Sequence, residues 1–211
     1  MDRPYVSPIR AEQVRLTRRR ITDAAHALFL ERGYTATTIA AVAASAGVSA
    51  QTVYNVFGTK PALLKHVYDV RLVGDDEPIP MQDRPDVRAL YTEEDAARFL
   101  RGYATLGGAV MERLGPLLVV IANGAGSDPD LAAHIVTVNG ERLVGTGMVA
   151  QRISDLGALR RGLDVDRARD RIWTLNSLEV WNLLTGLRGW SHTEAVDWIG
   201  EAMCDAVLDR G

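Results

Sequence analysis

Apolar positions recur every three or four residues over almost every long segment of the chain, the period of one buried face of an α-helix. No stretch alternates apolar and polar residues between hairpin turns, so the pattern predicts an all-α protein. Over 10–32 the recurring residues are Ile21, Ala24, Ala25, Leu28 and Phe29, and Gly33 is placed to stop the helix. Thr38 can cap a short helix over 39–46, Gly47 breaks it, and Ser49 can cap a second short helix over 50–57. Two caps about one glycine predict a helix-turn-helix. Past Gly58 a fourth helix, 60–72, repeats Leu63, Leu64, Val67 and Val70.

Residues 74–85 hold three prolines and four acids. They read as a loop and divide the chain into a domain over 1–73 and a larger helical one over 74–211. In the second domain the period predicts helices at 86–91, 93–113, 116–124, 129–157, 164–186 and 191–209. Gly115 with Pro116, and the stretch 124–129, supply turns between them, and Ser191 with Glu194 forms a capping box.

Composition adds exclusions. With 211 residues, 47% of them hydrophobic and 24% charged, the chain can bury a sizeable core. Its longest aliphatic run, Leu117 to Ala122, is far short of the roughly 18 residues a membrane helix needs. The N-terminus pairs no basic segment with a long apolar stretch, so a soluble, unexported, cytoplasmic protein is expected. A lone cysteine, Cys204, can form neither an internal disulfide nor a cysteine-based zinc site. Charge is uneven: residues 1–70 carry nine Lys/Arg against five Asp/Glu, and the remainder carries 15 against 22. A basic first domain, with Arg15, Arg18, Arg19 and Arg20 clustered, points to a polyanion partner, although a solvated helix face would look the same.

Two short helices that cross closely need small or apolar residues at fixed points. Ala43, Gly47 and Val53 supply them, and Val42, Val48, Val53 and Val56 can face a shared core. That leaves Ala50, Gln51, Thr52, Tyr54 and Asn55 facing outward, as short polar or aromatic groups able to enter a groove and meet phosphates or base edges. The run Arg18-x-x-Ile21, Ala25-x-x-Leu28-Phe29-x-x-Arg32-Gly33-Tyr34, Ala36-Thr37-Thr38-Ile39, Val42-Ala43-x-x-Ala46-Gly47-Val48-Ser49, Val53-Tyr54-x-x-Phe57-x-x-Lys60-x-x-Leu63-Leu64 resembles the TetR family of bacterial transcriptional regulators. The resemblance covers about a quarter of the chain and ties four helices together by position.

What the resemblance implies is a DNA-binding face on which Thr38, Ser49, Tyr54 and Lys60 contact backbone phosphates, Arg18 belongs to the matched motif, and Gln51, Thr52 and Asn55 read bases. Taken singly, Thr38 and Ser49 would be helix caps, Tyr54 a surface aromatic and Lys60 a solvated charge. Their joint spacing argues for more, while Tyr34 and Phe57 read as core. The chain departs from the family in having Ala50 and Gln51 where lysine and glycine are frequent, and Val56 where histidine is common. Gln51 offers an amide that can read adenine through two hydrogen bonds.

For the second domain the resemblance implies ligand binding and dimerisation. Trp173, Trp181, Trp190 and Trp198 all lie in its last 40 residues. Ile172, Leu175, Leu178 and Leu183, with Ala195, Trp198, Ile199, Ala202, Met203 and Ala206, form stripes that would pair with a second copy, or else pack as plain core. Phe99, Tyr103, Met111, Met148, Trp173 and Asn176 are candidates to line an adaptable apolar cavity, each of which could equally be core. His134 near Asp130 could contact a ligand or metal, or form a surface pair.

Other chemistries lack support. Residues 145–150 fit a dinucleotide fingerprint in composition but sit inside a helical run, without the preceding strand that motif needs. His26, His66, His134 and His192 make no His-Glu-x-x-His pattern, and there is no serine elbow. The expectation is therefore a non-enzymatic regulator without cofactor or metal. It would repress as a homodimer on a palindromic double-stranded DNA operator, released by a small, mostly apolar effector and independent of membranes. An all-α ligand-binding or protein-interaction module, and a helical enzyme, are the alternatives.

Overall fold

A computed structural model describes residues 8–209, with side chains from residue 12 onward. Among these residues the regular structure is helical: α1 Pro8–Arg32, α2 Ile39–Ala46, α3 Ala50–Phe57, α4 Lys60–Val73, α5 Pro85–Leu90, α6 Ala96–Gly124, α7 Pro129–Asp155, α8 Val165–Leu175, α9 Leu178–Asn182 and α10 His192–Val207. A 3-10 turn at Met81–Asp83 interrupts the acidic loop, and a π turn at Leu183–Leu187 follows α9.

The chain forms two compact units. One takes the residues up to Asp76 together with Pro116–Ile135, and the other takes Glu77–Gly115 with Val136–Gly211. The first break between these units follows Asp76, and 116–135 clusters with the N-terminal residues. In that unit Ile21, Ala25, Phe29, Leu63, Val67, Leu117, Ile121 and Leu131 are at most 1% exposed.

Two expected helix boundaries are corrected. Segments 93–113 and 116–124 are one helix, α6, with Pro116 inside it. An interior proline costs about 3 kcal/mol through its lost N–H and its ring. Leu114, Leu117 and Ile121 on either side of it are almost completely buried, each worth roughly 1.5–3 kcal/mol, so packing carries the helix through. The merged helix holds an 18-residue window of mean hydropathy 1.5, long and apolar enough by composition to cross a membrane, yet 44% of that window is buried inside the protein.

Conversely, 164–186 is not one helix. α8 stops at Asn176, and the Ser177 hydroxyl accepts the Val180 amide to start α9. The Arg142 guanidinium donates to the carbonyls of Trp173 and Asn176 at 3.0 and 2.8 Å, taking over helix bonds lost at the break. Apolar spacing continues through this break, which is why periodicity reads across it. In the same unit α10 packs on α8, and the expected box closes it: Ser191 N–H donates to Glu194 at 2.8 Å and Glu194 N–H donates to Ser191 at 3.3 Å.

Candidate DNA-binding face and ligand site

The turn between α2 and α3 is built by one backbone conformation and one long-range contact. Gly47 sits at φ +65°, left-handed backbone that a side chain would strain. The Arg20 guanidinium donates to the Ala46 carbonyl at 2.5 Å and lies where a Cβ on residue 47 would have to go. Sequence reasoning saw Arg20 only as charge; its partner lies 26 residues away, and no local pattern signals it.

Thr38 and Ser49 are both exposed and both cap, accepting the amides of Ala41 at 3.1 Å and Thr52 at 3.0 Å. Val53, 1% exposed, anchors α3, and Val42 is equally buried, while Val48 and Val56 are half-buried. Opposite Val53, Gln51, Tyr54 and Asn55 are exposed and Thr52 half-buried. Gln51 donates to Asn55 at 2.9 Å, and the Ser49 and Thr52 hydroxyls lie 2.8 Å apart. The structure thus presents these side chains as one polar row along the outer face of α3.

Arg18 and Lys60 are placed differently. Arg18 stacks over the Phe57 ring at 5.1 Å and lies 3.1–3.2 Å from both ring nitrogens of His66. It therefore ties α1 to α3 and α4. Burial, helped by Arg18, pushes the His66 pKa below its ordinary value. The Lys60 ammonium sits 4.0 Å over the Tyr34 ring and donates to the Thr35 carbonyl at 3.4 Å. Tyr34 is buried as expected, whereas Phe57 is only half-buried. From the start of α7, Asp130 accepts the Tyr34 hydroxyl at 3.2 Å, and just before it Asp128 accepts the Thr35 hydroxyl at 2.8 Å. Burial lowers the Lys60 pKa while both acids raise it; burial and Asp130 push the Tyr34 hydroxyl up. His134, expected at the surface, is buried: it is 7% exposed and edge-on to Tyr68 at 5.1 Å.

In the second unit, Phe99 is fully buried against Tyr91 at 5.2 Å and Met111 is 8% exposed. Tyr103 is half-exposed overall with its hydroxyl end buried; burial raises its pKa, and a hydrogen bond with Asn176 opposes that. The Asn176 amide reaches so close to α6 that a Cβ on Gly107 would lie 2.6 Å from its oxygen. Trp173 lies under Arg142 at 4.7 Å, and its buried Nε1 has no hydrogen-bond partner among the described residues. Tyr103, Trp173 and Asn176 thus gather at the α8 break with Arg142 and Gly107, which sequence reasoning missed. Met148 does not join them: it is 51% exposed on α7.

The proposed dimer stripes divide. Ile172, Ala195, Ile199 and Met203 are 0–4% exposed and spent on the chain's own core, because α8 and α10 pack on each other. Leu183 and Trp198 are 54% and 43% exposed, and Leu175, Leu178, Ala202 and Ala206 are half-exposed. Leu187, 75% exposed in the π turn, was not singled out.

Comparison with known proteins agrees with this geometry. No curated protein matches the chain in sequence. Among solved structures, SmeT in complex with triclosan superposes with a TM-score of 0.70 at 21% identity, over 92% of this chain and 93% of SmeT. A second structure of SmeT, described as the repressor of the Stenotrophomonas maltophilia multidrug efflux pump SmeDEF, gives 0.65 at 20% identity over 92% and 91%. A Saccharomonospora viridis protein assigned as a transcriptional regulator, in complex with choline, gives 0.66 at 21% identity over 92% and 98%. At such identities these likenesses show the fold. Residues 21–67 match the family described as bacterial regulatory proteins, tetR family. That match falls on the four helices that carry the polar row and its supports, so residues 21–67 are similar to the N-terminal segment of bacterial regulatory proteins of the tetR family, and the chain shares its fold with solved structures described as regulators of that kind.

Proposed function

We propose that the protein is a cytoplasmic repressor that binds a pseudo-palindromic operator as a homodimer and leaves it when a small, mostly apolar effector binds. The observation that carries this reading is the outward polar row of α3, anchored from behind by Val53. Thr38, Ser49, Tyr54 and Lys60 meet phosphates, with hydroxyls and helix N-termini donating hydrogen bonds and Lys60 adding charge. Gln51, Thr52 and Asn55 read base edges in the major groove. Arg18, engaged with Phe57 and His66, is a positioning residue that sets α3 against α1 and α4.

In a dimer, two such helices enter successive major grooves about 34–36 Å apart. The surface for the second copy is Leu175, Leu178, Leu183, Leu187, Trp198, Ala202 and Ala206, exposed or half-exposed apolar side chains. The effector site is the gathering of Tyr103, Trp173 and Asn176, with Phe99 and Met111 as apolar lining. The unpartnered Trp173 Nε1 supports an effector that accepts a hydrogen bond. The triclosan of SmeT and the choline of the Saccharomonospora viridis protein show that this fold admits small ligands. An effector that favours a dimer with wrongly spaced heads lowers DNA affinity by its differential binding. Neither a cofactor nor turnover is part of this reading.

The test is a pair of substitutions measured on a selected operator. Gln51→Ala should change which base is preferred at its position. Lys60→Ala should weaken all duplexes alike and reduce the salt slope by roughly one phosphate contact. If neither substitution changes binding, the assignment of this face is wrong.

A further inference from the structure

The acids around the start of α7 have a role that helix capping alone does not explain. Asp128 accepts the Asp130 amide at 3.0 Å, an ordinary capping bond. Each acid also reaches a different residue of the loop after α1: Asp128 takes the Thr35 hydroxyl at 2.8 Å and Asp130 takes the Tyr34 hydroxyl at 3.2 Å. Those are the two residues that Lys60 touches, through the Tyr34 ring at 4.0 Å and the Thr35 carbonyl at 3.4 Å. All five residues belong to the same compact unit. The ammonium is thus held on a platform whose two parts are each fastened to a carboxylate.

We propose that Asp128 and Asp130 form an electrostatic brake on DNA binding, competing with operator phosphates for the charge of Lys60. It rests on the reading of Lys60 as a phosphate contact. A cation whose two immediate neighbours, Tyr34 and Thr35, are each bonded to a carboxylate has less of its field to give to DNA, and pulling it toward phosphate works against that attraction. The direction of the Lys60 pKa is consistent with that geometry: burial lowers it, and Asp128 and Asp130 oppose the lowering. The brake is graded, because Asp130 is exposed, Asp128 half-exposed and their field screened by salt.

Asp128→Asn with Asp130→Asn separates charge from architecture: at 130 the amide oxygen still accepts the Tyr34 hydroxyl, and at 128, where each carboxylate oxygen holds one partner, the amide oxygen keeps the capping amide while its NH2 donates to the Thr35 hydroxyl oxygen. The measurement is affinity for a selected operator duplex by fluorescence anisotropy, at about 50 mM and about 200 mM salt. The double variant should bind roughly two- to five-fold tighter per reading head at the lower salt. The gain should shrink at the higher salt and disappear when Lys60→Gln is added. Each single substitution should carry part of the gain, so the test does not depend on the double variant folding. Unchanged affinity, or an equal gain in the Lys60→Gln background, would overturn the brake; the first is what caps alone predict. If Lys60→Gln weakens binding and the acids do nothing, only the brake fails. If no duplex can be selected with the unsubstituted protein, the DNA-binding reading fails and takes the brake with it.

Discussion

The hydroxyl of Ser49 accepts the Thr52 amide and lies 2.8 Å from the Thr52 hydroxyl on an exposed helix start. On the proposed function the cap and the phosphate contact fall to one oxygen, and two substitutions separate them. Ser49→Ala removes the cap, worth about 1 kcal/mol of stability, along with the proposed phosphate contact. Ser49→Asp keeps a good capping acceptor but sets a negative charge against phosphate. Thermal melts should show the Asp variant near the unsubstituted protein, while anisotropy shows operator binding lost; an Asp variant that binds normally would remove Ser49 from the face. The histidines give a pH prediction. Burial first, and then Arg71 beside His26 and Arg18 beside His66, hold both imidazoles below their ordinary 6.5. Between the lowered values and 6.5 the unfolded chain binds more protons than the folded one, so stability is full above 6.5 and drains as pH falls below it. Melting midpoints should drop from about pH 7 to about pH 5, and less so for His66→Asn. Caps such as Thr38 and Ser49 were legible because donor and acceptor are three residues apart. Arg18, Arg20 and Arg142 were not, since their partners lie 48, 26 and 31 to 34 residues away.

Helices α2, α3 and α4 were legible almost to the residue because each is short, opens on a threonine or serine cap and is stopped by glycine. The longer helices were not. Pro116 reads as a stop, yet buried leucines on both sides outweigh it. The α8 break reads as helix because its signal, the amide of Asn176 and the hydroxyl of Ser177, is lost among apolar residues at regular spacing. Packing at this break gives a test. Gly107→Ala puts a Cβ 2.6 Å from the Asn176 oxygen, which should cost about 1–3 kcal/mol by overpacking. Adding Asn176→Ala should return part of that loss, as coupling between neighbours requires. Denaturant midpoints measure both, and strictly additive costs would mean that the two residues do not meet.

At the scale of the whole molecule, the basic first third and the acidic remainder divide the labour that a DNA-bound regulator needs. The proposed palindromic operator would require self-association, since a palindrome is read by two copies related by a two-fold axis. The apolar stripes that sequence proposed for it were partly claimed by the chain's own core, because a periodic stripe does not say which neighbour covers it. What stays uncovered, Leu183, Leu187 and Trp198, should carry the dimer. Leu187→Glu should shift the protein toward monomer in sedimentation equilibrium while its melting temperature holds; a dimer of unchanged affinity would place the interface elsewhere. Selection of duplexes from a random pool by the purified protein tests the central claim most directly. Enrichment of a pseudo-palindrome with half-sites about 10 base pairs apart, bound with steep salt dependence, is the predicted result. A folded dimer that enriches no sequence would contradict it.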